Sequence, residues 1–487
     1  MSLWSGSWSI ELAAVDVSVD RLEAAAPILT GFLGGYVVAM PLLGAFSDAR
    51  GRLPAYAAAM AVFGVGSVLT ALAPALGVLV VGRVLQGLGG GALVPLCLAM
   101  AADLFAPGRR SLPLGAVSAL QEAGSVVGPV YGAALAASLG GWRSVFWLNL
   151  PLGALVLLGL WLGGRSSGRV GVRAGAGGSP AARQVDWLGA ALLGLGLALV
   201  VFALYPDDPQ QRAVNSLAAP LLVAGILVLA AFAWRQGRRL SPLIAPELLR
   251  SPAFLGALGA NLLAGAGLMV ALVDVPVLAR GVFDLDTVQS GLLLVRLLAG
   301  LPVGALLGGW LASRLGRHWT AGAGLALAGL AFWLMSGWGV HQLQAAAWQA
   351  TSELFLCGLG LGIVIAPLSA AVLDLADPGR HGLAGSLVVL ARTLGMVLGL
   401  ASLTAFGLSR FQRIFLDRRC DAPAAGGSLR SQLAAFEACA RGALLQEYRE
   451  VFWVAAGVCL LGALLAALTL RSLRPAPEPE PRAAGPA

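Results

Sequence analysis

Thirteen apolar stretches of about bilayer length follow one another along the chain, near 26–46, 54–74, 77–103, 111–138, 144–163, 186–205, 217–234, 253–279, 288–312, 319–339, 353–373, 383–409 and 450–470. Each reads as a membrane-crossing helix, because about 20 apolar residues span the hydrocarbon layer and a helix bonds its own backbone there. Arginine is shared unevenly among the polar connections. Arg50/Arg52, Arg109/Arg110, Arg165/Arg169/Arg173/Arg183, Arg235/Arg238/Arg239/Arg250, Arg314/Arg317, Arg380 and Arg471/Arg474 fall at every second one. The alternate short connections carry little: Arg143, Arg212 and Arg280. An excess of basic residues marks the cytoplasmic side, so the arginine-bearing connections and the C-terminus are expected inside. The Pro/Glu-rich tail 475–487 is expected to be disordered.

A repeat organises these stretches. Gly44-Ala-Phe-Ser-Asp48-Ala-Arg50-Gly51-Arg52 returns as Gly309-Trp-Leu-Ala-Ser313-Arg314-Leu-Gly316-Arg317, with Gly44, Gly51 and Arg52 matched at one offset. Asp103-Leu-Phe-Ala-Pro107-Gly108-Arg109 likewise matches Asp374-Leu-Ala-Asp-Pro378-Gly379-Arg380. The two Asp-Pro segments read as helix exits into turns. The repeat runs in the same direction in both halves, so the expected fold is an all-α polytopic membrane protein of two similar six-helix-type bundles. The expected boundaries are an N-terminal bundle over 26–163, a Gly/Ser/Arg linker over 164–185, an inserted helix hairpin over 186–235 and a C-terminal bundle over 236–474. Such an arrangement would hold fourteen helices. Before Pro27 there is room for about half of one, with Glu11 and Asp16 inside it, so 1–25 reads as the remnant of a truncated first helix or as a misassigned start.

Composition supports a membrane protein and removes other classes. Of 487 residues, 58% are hydrophobic and 11% charged, with a mean hydropathy of +0.84. All 32 basic residues are arginine, and the net charge of +8 is spread along the loops rather than gathered into a nucleic-acid patch. No CxxC or Cys/His spacing suggests a metal site, and no phosphate-binding loop or catalytic triad is present, so neither an enzyme nor a cofactor is expected. Cys97, Cys357 and Cys459 lie in apolar segments. Cys420 and Cys439 share one long polar segment and could form a disulfide in an oxidising compartment. That segment, about 409–449, carries Leu429, Leu433, Phe436, Ala440 and Leu444 at helical spacing. It reads as an external extension of the last two helices.

Several motifs then carry a family resemblance. Gly44–Arg52 resembles the cytoplasmic-turn motif of the major facilitator superfamily, and Arg83-Val-Leu-Gln86-Gly87-Leu-Gly89-Gly90-Gly91 its fourth-helix motif. Gly115 with Gly124-Ser-Val-Val-Gly128-Pro129-Val-Tyr-Gly132 resembles the antiporter motif, and Trp142–Pro151 the sixth-helix start of the fourteen-helix drug:proton antiporters. Within that group the chain is most similar to mycobacterial triacylglyceride/lipid exporters, which are also regarded as multidrug efflux pumps. The similar stretches include Gly35–Gly44, Gln121–Val126, Leu272–Val275 and Gly360–Ser369. The resemblance implies an export protein of the cell membrane, driven by protons, whose partners are the lipid bilayer, a hydrophobic or lipid cargo and an extracytoplasmic lipid acceptor protein. The alternatives are a general multidrug antiporter and a non-transporting lipid scramblase.

Charges inside spans cost about 2.5–3.5 kcal/mol each on insertion scales, so the few present are candidate machinery. They are Arg83, Glu122, Asp274, Arg296 and Arg392. The repeat sets Arg392 against Gln121 or Glu122. A Glu122–Arg392 pair is either a switch that opens on protonation or a permanent structural ion pair. Asp274, followed by Pro276, is either a proton site, a gate contact or a water-facing acid. Arg83 with Gln86 either takes part in proton coupling, as the resemblance implies, or braces helix carbonyls. Arg296 matches no motif. Asp48, Arg50 and Arg52 are expected to latch the bundles, with the arginines reaching across. Gly124, Gly128, Pro129 and Gly132 are expected to permit close helix packing.

Overall fold

The computed structural model describes residues 19–138, 141–167, 186–205, 214–239, 242–377, 379–417 and 429–472. The segment up to residue 18, most of the linker, Cys420 and the tail lie outside them. Thirteen long helices occur among the described residues, and no strand. They are α1 (Val19–Arg50), α2 (Arg52–Leu72), α3 (Leu76–Leu104), α4 (Ser111–Ser138), α5 (Arg143–Ser167), α6 (Trp187–Leu204), α7 (Ala218–Arg238), α8 (Pro252–Gly281), α9 (Thr287–Leu315), α10 (Arg317–Met335), α11 (Ala347–Leu375), α12 (His381–Asp417) and α13 (Leu429–Thr469). Twelve are long and apolar enough to cross a membrane; the 28-residue α4, which carries Glu122, packs among them. Each expected apolar stretch falls on one of these helices.

The repeat in sequence is a repeat in backbone. A single residue joins α1 to α2 and α9 to α10: Gly51 at φ 102° and ψ 157°, and Gly316 at φ 88° and ψ 156°. This region of backbone space is open almost only to glycine, which is why both copies of the turn keep it. The same symmetry governs packing. In the first half a Cβ at Gly35 would strike the Val84 carbonyl, and Cβ atoms at Gly87 and Gly91 would strike those of Phe32 and Tyr36. In the second half Gly300 meets the Phe355 carbonyl, while Gly358 and Gly362 meet those of Leu297 and Leu301. Helices α1 and α3, like α9 and α11, therefore lie backbone on backbone, the small-residue packing expected in lipid. Of the fourth-helix motif, Gly87 and Gly91 serve this contact, while Gly89 packs on the Ala59 carbonyl of α2. Helix α11 breaks at Val364, four residues after Gly360 and three before Pro367, whose ring displaces the carbonyl of Ile363.

The halves meet through α1 on α12 and α4 on α9. At the arginine-bearing end the second contact is glycine on glycine. A Cβ at Gly115 would lie 2.8 Å from the Ala305 carbonyl oxygen and 2.9 Å from Gly309 Cα. The inserted hairpin α6–α7 packs against α1 and α12, where Ala198 and Val201 join Val37, Met40, Leu390 and Val397 in one buried cluster. It thus covers the seam between the bundles. Asp186 caps α6, accepting from the Gly189 amide (3.1 Å) and from Arg235 Nη2 of α7 (2.9 Å). Burial pushes this carboxyl's pKa up, but those two bonds and the charges of Arg235 and Arg239 outweigh it and hold the pKa below the ordinary value.

Helices α12 and α13 have 37 and 41 residues, about 55 and 60 Å, against about 30 Å of hydrocarbon. Most of 409–449 is therefore helical, and α5 continues to Ser167. Cys439 is disulfide-bonded, whereas Cys97, Cys357 and Cys459 are free.

Gly115→Val is expected to hold α4 away from α9 and open the arginine-bearing end. Spin labels on α4 and α9 at that end should show a longer mean distance, while Gly77→Val, with nothing within 4 Å, should leave it unchanged.

Candidate functional site

Two layers of polar contacts join the bundles. The first is at the arginine-bearing end. Asp48 closes α1 and reaches into the other bundle, where it accepts the backbone N–H groups of Gly382 (Oδ1, 2.8 Å) and Leu383 (Oδ2, 2.9 Å) in the first turn of α12. These donors have no partner within their own helix, and the helix dipole favours an anion there. Arg52 Nη1 pairs with Asp48 and donates to Ser47 Oγ (2.8 Å), while its Nε donates to Asp103 Oδ2 (2.7 Å). His381 Nδ1, on α12, lies 2.5 Å from the other oxygen of Asp103. Ser386 Oγ donates to the Met40 carbonyl (2.7 Å).

The second half builds a related node from different residues. Arg317 Nη2 pairs with Asp374, as Arg52 pairs with Asp103. Ser313, which stands where the first half has Asp48, donates to the Trp310 carbonyl of its own helix (2.6 Å). Arg110 supplies the cross-bundle link instead, donating to Asp374 Oδ1 (2.8 Å) and the Leu373 carbonyl (3.2 Å). The Gly108 amide also points at Asp374 Oδ2 (3.3 Å).

These contacts correct three expectations. The arginine of the turn stays within its own bundle and the carboxylate crosses, because the partner is a row of N–H donors. Arg50 is exposed and stands outside the network among the described residues. Asp103 and Asp374 are central ion-pair partners, not simply turn residues. Arg110 and His381 were missed as well. The usable signal was that Asp103 and Asp374 recur at matched positions, as do Arg52 and Arg317.

The second layer lies deeper in the spans. Arg392 Nη1 of α12 donates to Glu122 Oε1 of α4 at 2.7 Å, with side-chain exposures of 14% and 6%. Of the two partners that the repeat allowed, the fold thus selects Glu122. Tyr36 of α1 is half-buried. The Arg392 backbone is fixed by α8, since a Cβ at Gly265 would strike its carbonyl. Gly124, Gly128 and Gly132 are buried at four-residue spacing on α4; the side chain of Pro129 lies outside the description.

The other candidates separate from this pair. Arg83 is buried between the rings of Phe32 (5.1 Å) and Phe146 (5.8 Å) and donates to Gln86 Oε1 (3.1 Å). Gln86 continues to Ser67 Oγ (2.9 Å), which Asn149 also reaches (3.4 Å). Arg296 donates to Thr351 Oγ1 (2.7 Å), tying α9 to α11. Asp274 is buried in α8, which packs against α13.

Comparison with known proteins agrees with this architecture. The family model described as Major Facilitator Superfamily matches residues 4–400. The triacylglyceride transporter of Mycolicibacterium smegmatis is 40% identical over 485 residues, covering 96% of this chain and 84% of that protein. The triacylglyceride transporter of Mycobacterium tuberculosis is 39% identical over 480 residues, covering 96% and 90%. Among solved structures, the human organic anion transporter MFSD10 aligns with a TM-score of 0.58 at 18% identity, covering 96% of this chain and 89% of that one. The Escherichia coli fucose:proton symporter aligns at 0.54 and 14%, covering 96% of each chain, and like MFSD10 it speaks to fold alone. With two parallel bundles joined through α1–α12 and α4–α9, and a family model matched over most of its length, this chain belongs to the Major Facilitator Superfamily and is a membrane transporter rather than an enzyme.

Proposed function

We propose that the protein exports a neutral lipid of the triacylglyceride class from the cell membrane by proton-coupled alternating access, with its C-terminus in the cytoplasm. The observation that carries the coupling is the Glu122–Arg392 bond between α4 and α12. Removing one partner of a buried ion pair costs about 3–5 kcal/mol, because the other charge is left without compensation. A proton on Glu122 has a similar effect without removing an atom. Arg392 then gains by finding water, and the bundles must move for water to reach it. Coupling is the demand that this charge be either paired or wet.

The cargo assignment rests on the transporters named above and on chemistry. Large apolar side chains cover the outer surface, and α12 and α13 are long enough to carry an apolar cargo beyond the bilayer toward an acceptor protein. The positive-inside reading puts Asp48 and its network at the cytoplasmic face, so the conformation described here is closed on that side. A drug-like cargo is the competing reading, and a comparison of lipid with cationic-drug export decides between them.

Two outcomes test the mechanism. In proteoliposomes, Glu122→Gln should lower export driven by a proton gradient at least tenfold while gradient-independent exchange of cargo persists. Parent-like coupled export by this variant would sink the switch. Asp48→Asn keeps the side-chain volume but turns two charge-assisted bonds into at most weak ones, each originally worth about 1.5–3 kcal/mol. It should populate the cytoplasm-open form, read as a second, longer spin-label distance between the starts of α2 and α10. An unchanged distance distribution would show that Asp48 does not latch the bundles.

A further inference from the structure

The inserted hairpin reaches the second bundle through a short segment that the closing contacts above leave out. Helix α7 ends at Arg238. Pro242–Ala245 and a one-turn helix, Pro246–Arg250, then lead to Ser251, whose Oγ accepts the Phe254 amide (3.4 Å) and caps α8. The hairpin meets the first bundle backbone to backbone. A Cβ at Gly194 of α6 would lie 2.8 Å from the Val38 carbonyl oxygen of α1, and the rings of Phe46 on α1 and Trp187 on α6 are 5.7 Å apart. Helix α7 is held to α6 by Arg235–Asp186. The segment 242–245 is thus where a hairpin seated on one bundle runs into a helix of the other.

Polar side chains grip that segment from both sides. From the hairpin, Gln236 of α7 holds its backbone at two points: Nε2 donates to the Ile244 carbonyl, and Oε1 accepts the Leu243 N–H (3.0 Å). From the second bundle, Nη1 of Arg380, the residue before α12, donates to the carbonyls of Pro242 (3.1 Å) and Leu243 (3.4 Å). Backbone groups of an irregular segment need such partners when they are buried. Between the two grips, Leu243 and Ile244 are buried at 8% and 7% exposure. They share one cluster with Ala45 of α1, Ala190 and Leu193 of α6 and Leu383 of α12. Ala45 lies three residues before Asp48, and Leu383 supplies one of the amides that Asp48 accepts. The two apolar side chains therefore fill the seam beside the Asp48 contact.

When α1 and α12 part at this end, one cluster cannot follow both. The bonds from Arg380 are charge-assisted, the stronger kind, and Ser251 continues the segment into α8. The segment therefore stays with the second bundle. The neutral bonds from Gln236 and the apolar contacts with Ala45, Ala190 and Leu193 are the ones that break. Gln236 can exchange its two bonds for water, while Leu243 and Ile244 must leave an apolar site. Contacts of this kind act at short range, so they resist the first separation rather than wide opening.

We propose that Pro242–Ala245 is a strap across the transport seam. With Leu243 and Ile244 seated between α1, α6 and α12, it holds the arginine-bearing end shut, and its release from Gln236 and Ala45 is part of each opening there. The inserted hairpin is then a brake on that opening, and Gln236 is the residue that positions the strap. For its part in transport the strap rests on the alternating-access reading; its hold on the seam does not.

Spin labels at the starts of α2 and α10, on the full chain in lipid nanodiscs, test the hold. Gln236→Leu keeps the bulk of the side chain and removes both bonds, and it should raise the population with the longer distance about tenfold. Gln236→Glu still accepts from Leu243 but sets an anion against the Ile244 carbonyl, so it should resemble Gln236→Leu and not the parent. Arg238→Gln, at the same helix end but stacked on Trp234 (4.3 Å), should match the parent. An unchanged distribution in both Gln236 variants overturns the strap. Release is tested separately in proteoliposomes with a fluorescent triacylglyceride. In the double variant Ala45→Cys, Leu243→Cys, a short reagent that bridges the two thiols should stop export, and a one-ended reagent of the same length should not. The bridge is added to folded protein, so this result does not depend on a variant's stability. Undiminished export by the bridged protein overturns the strap, because the segment then never leaves α1. A parent that moves no triacylglyceride ends the cargo reading, and the spin-label distances then decide the strap alone.

Discussion

A charge inside hydrocarbon must be paired or wet, and in this protein Arg110–Asp374, His381–Asp103 and Glu122–Arg392 meet across the boundary between its two bundles. Asp48 spends its two oxygens on the first turn of α12. Asp374 receives Arg110 from the other half, and Glu122 receives Arg392. Within each bundle glycine backbones lie in direct van der Waals contact, as α1 does on α3 and α9 on α11, beside the ion pairs Arg52–Asp103 and Arg317–Asp374. Packed backbones resist small displacements. Polar contacts between bundles can be exchanged for water at modest cost once water enters. The chain therefore has stiff bodies and a separable seam, the combination that alternating access requires.

The two halves share a plan and have diverged in how they carry it out. Gly51 and Gly316 keep the same backbone, and Arg52–Asp103 and Arg317–Asp374 are matched pairs. The substitution of Ser313 for the position of Asp48 removes the acid that would reach the other bundle. Arg110 restores a cross-bundle bond with the opposite polarity, cation to anion rather than anion to helix terminus. One seam thus has two cross-bundle contacts of different chemistry. The first ends on backbone N–H groups that cannot be titrated. It also includes His381, bonded to Asp103, at the same helix start.

The inserted hairpin and the two long helices extend the same logic. Helix α6 shares an apolar cluster with α1 and α12, so the insertion rides on both sides of the seam. Helices α12 and α13 carry the seam's last elements about 25 Å or more beyond the hydrocarbon thickness. Arg410–Glu450 ties the two together in the stretch above Arg392.

Local properties of the chain were readable from the residues in order. Apolar stretches of bilayer length, alternating arginine and the returning Gly44–Arg52 turn determined the helices, the two-bundle plan and the glycines at the turns, because each follows from the cost of backbone and charge in lipid. Arg392 could be set opposite Gln121 or Glu122 by symmetry alone. The choice between them depends on helix rotation, which only the packing of α12 on α8 at Gly265 decides. Which atoms cross the seam was likewise hidden. Asp48 meets amides rather than an arginine, and amides carry no side-chain signature.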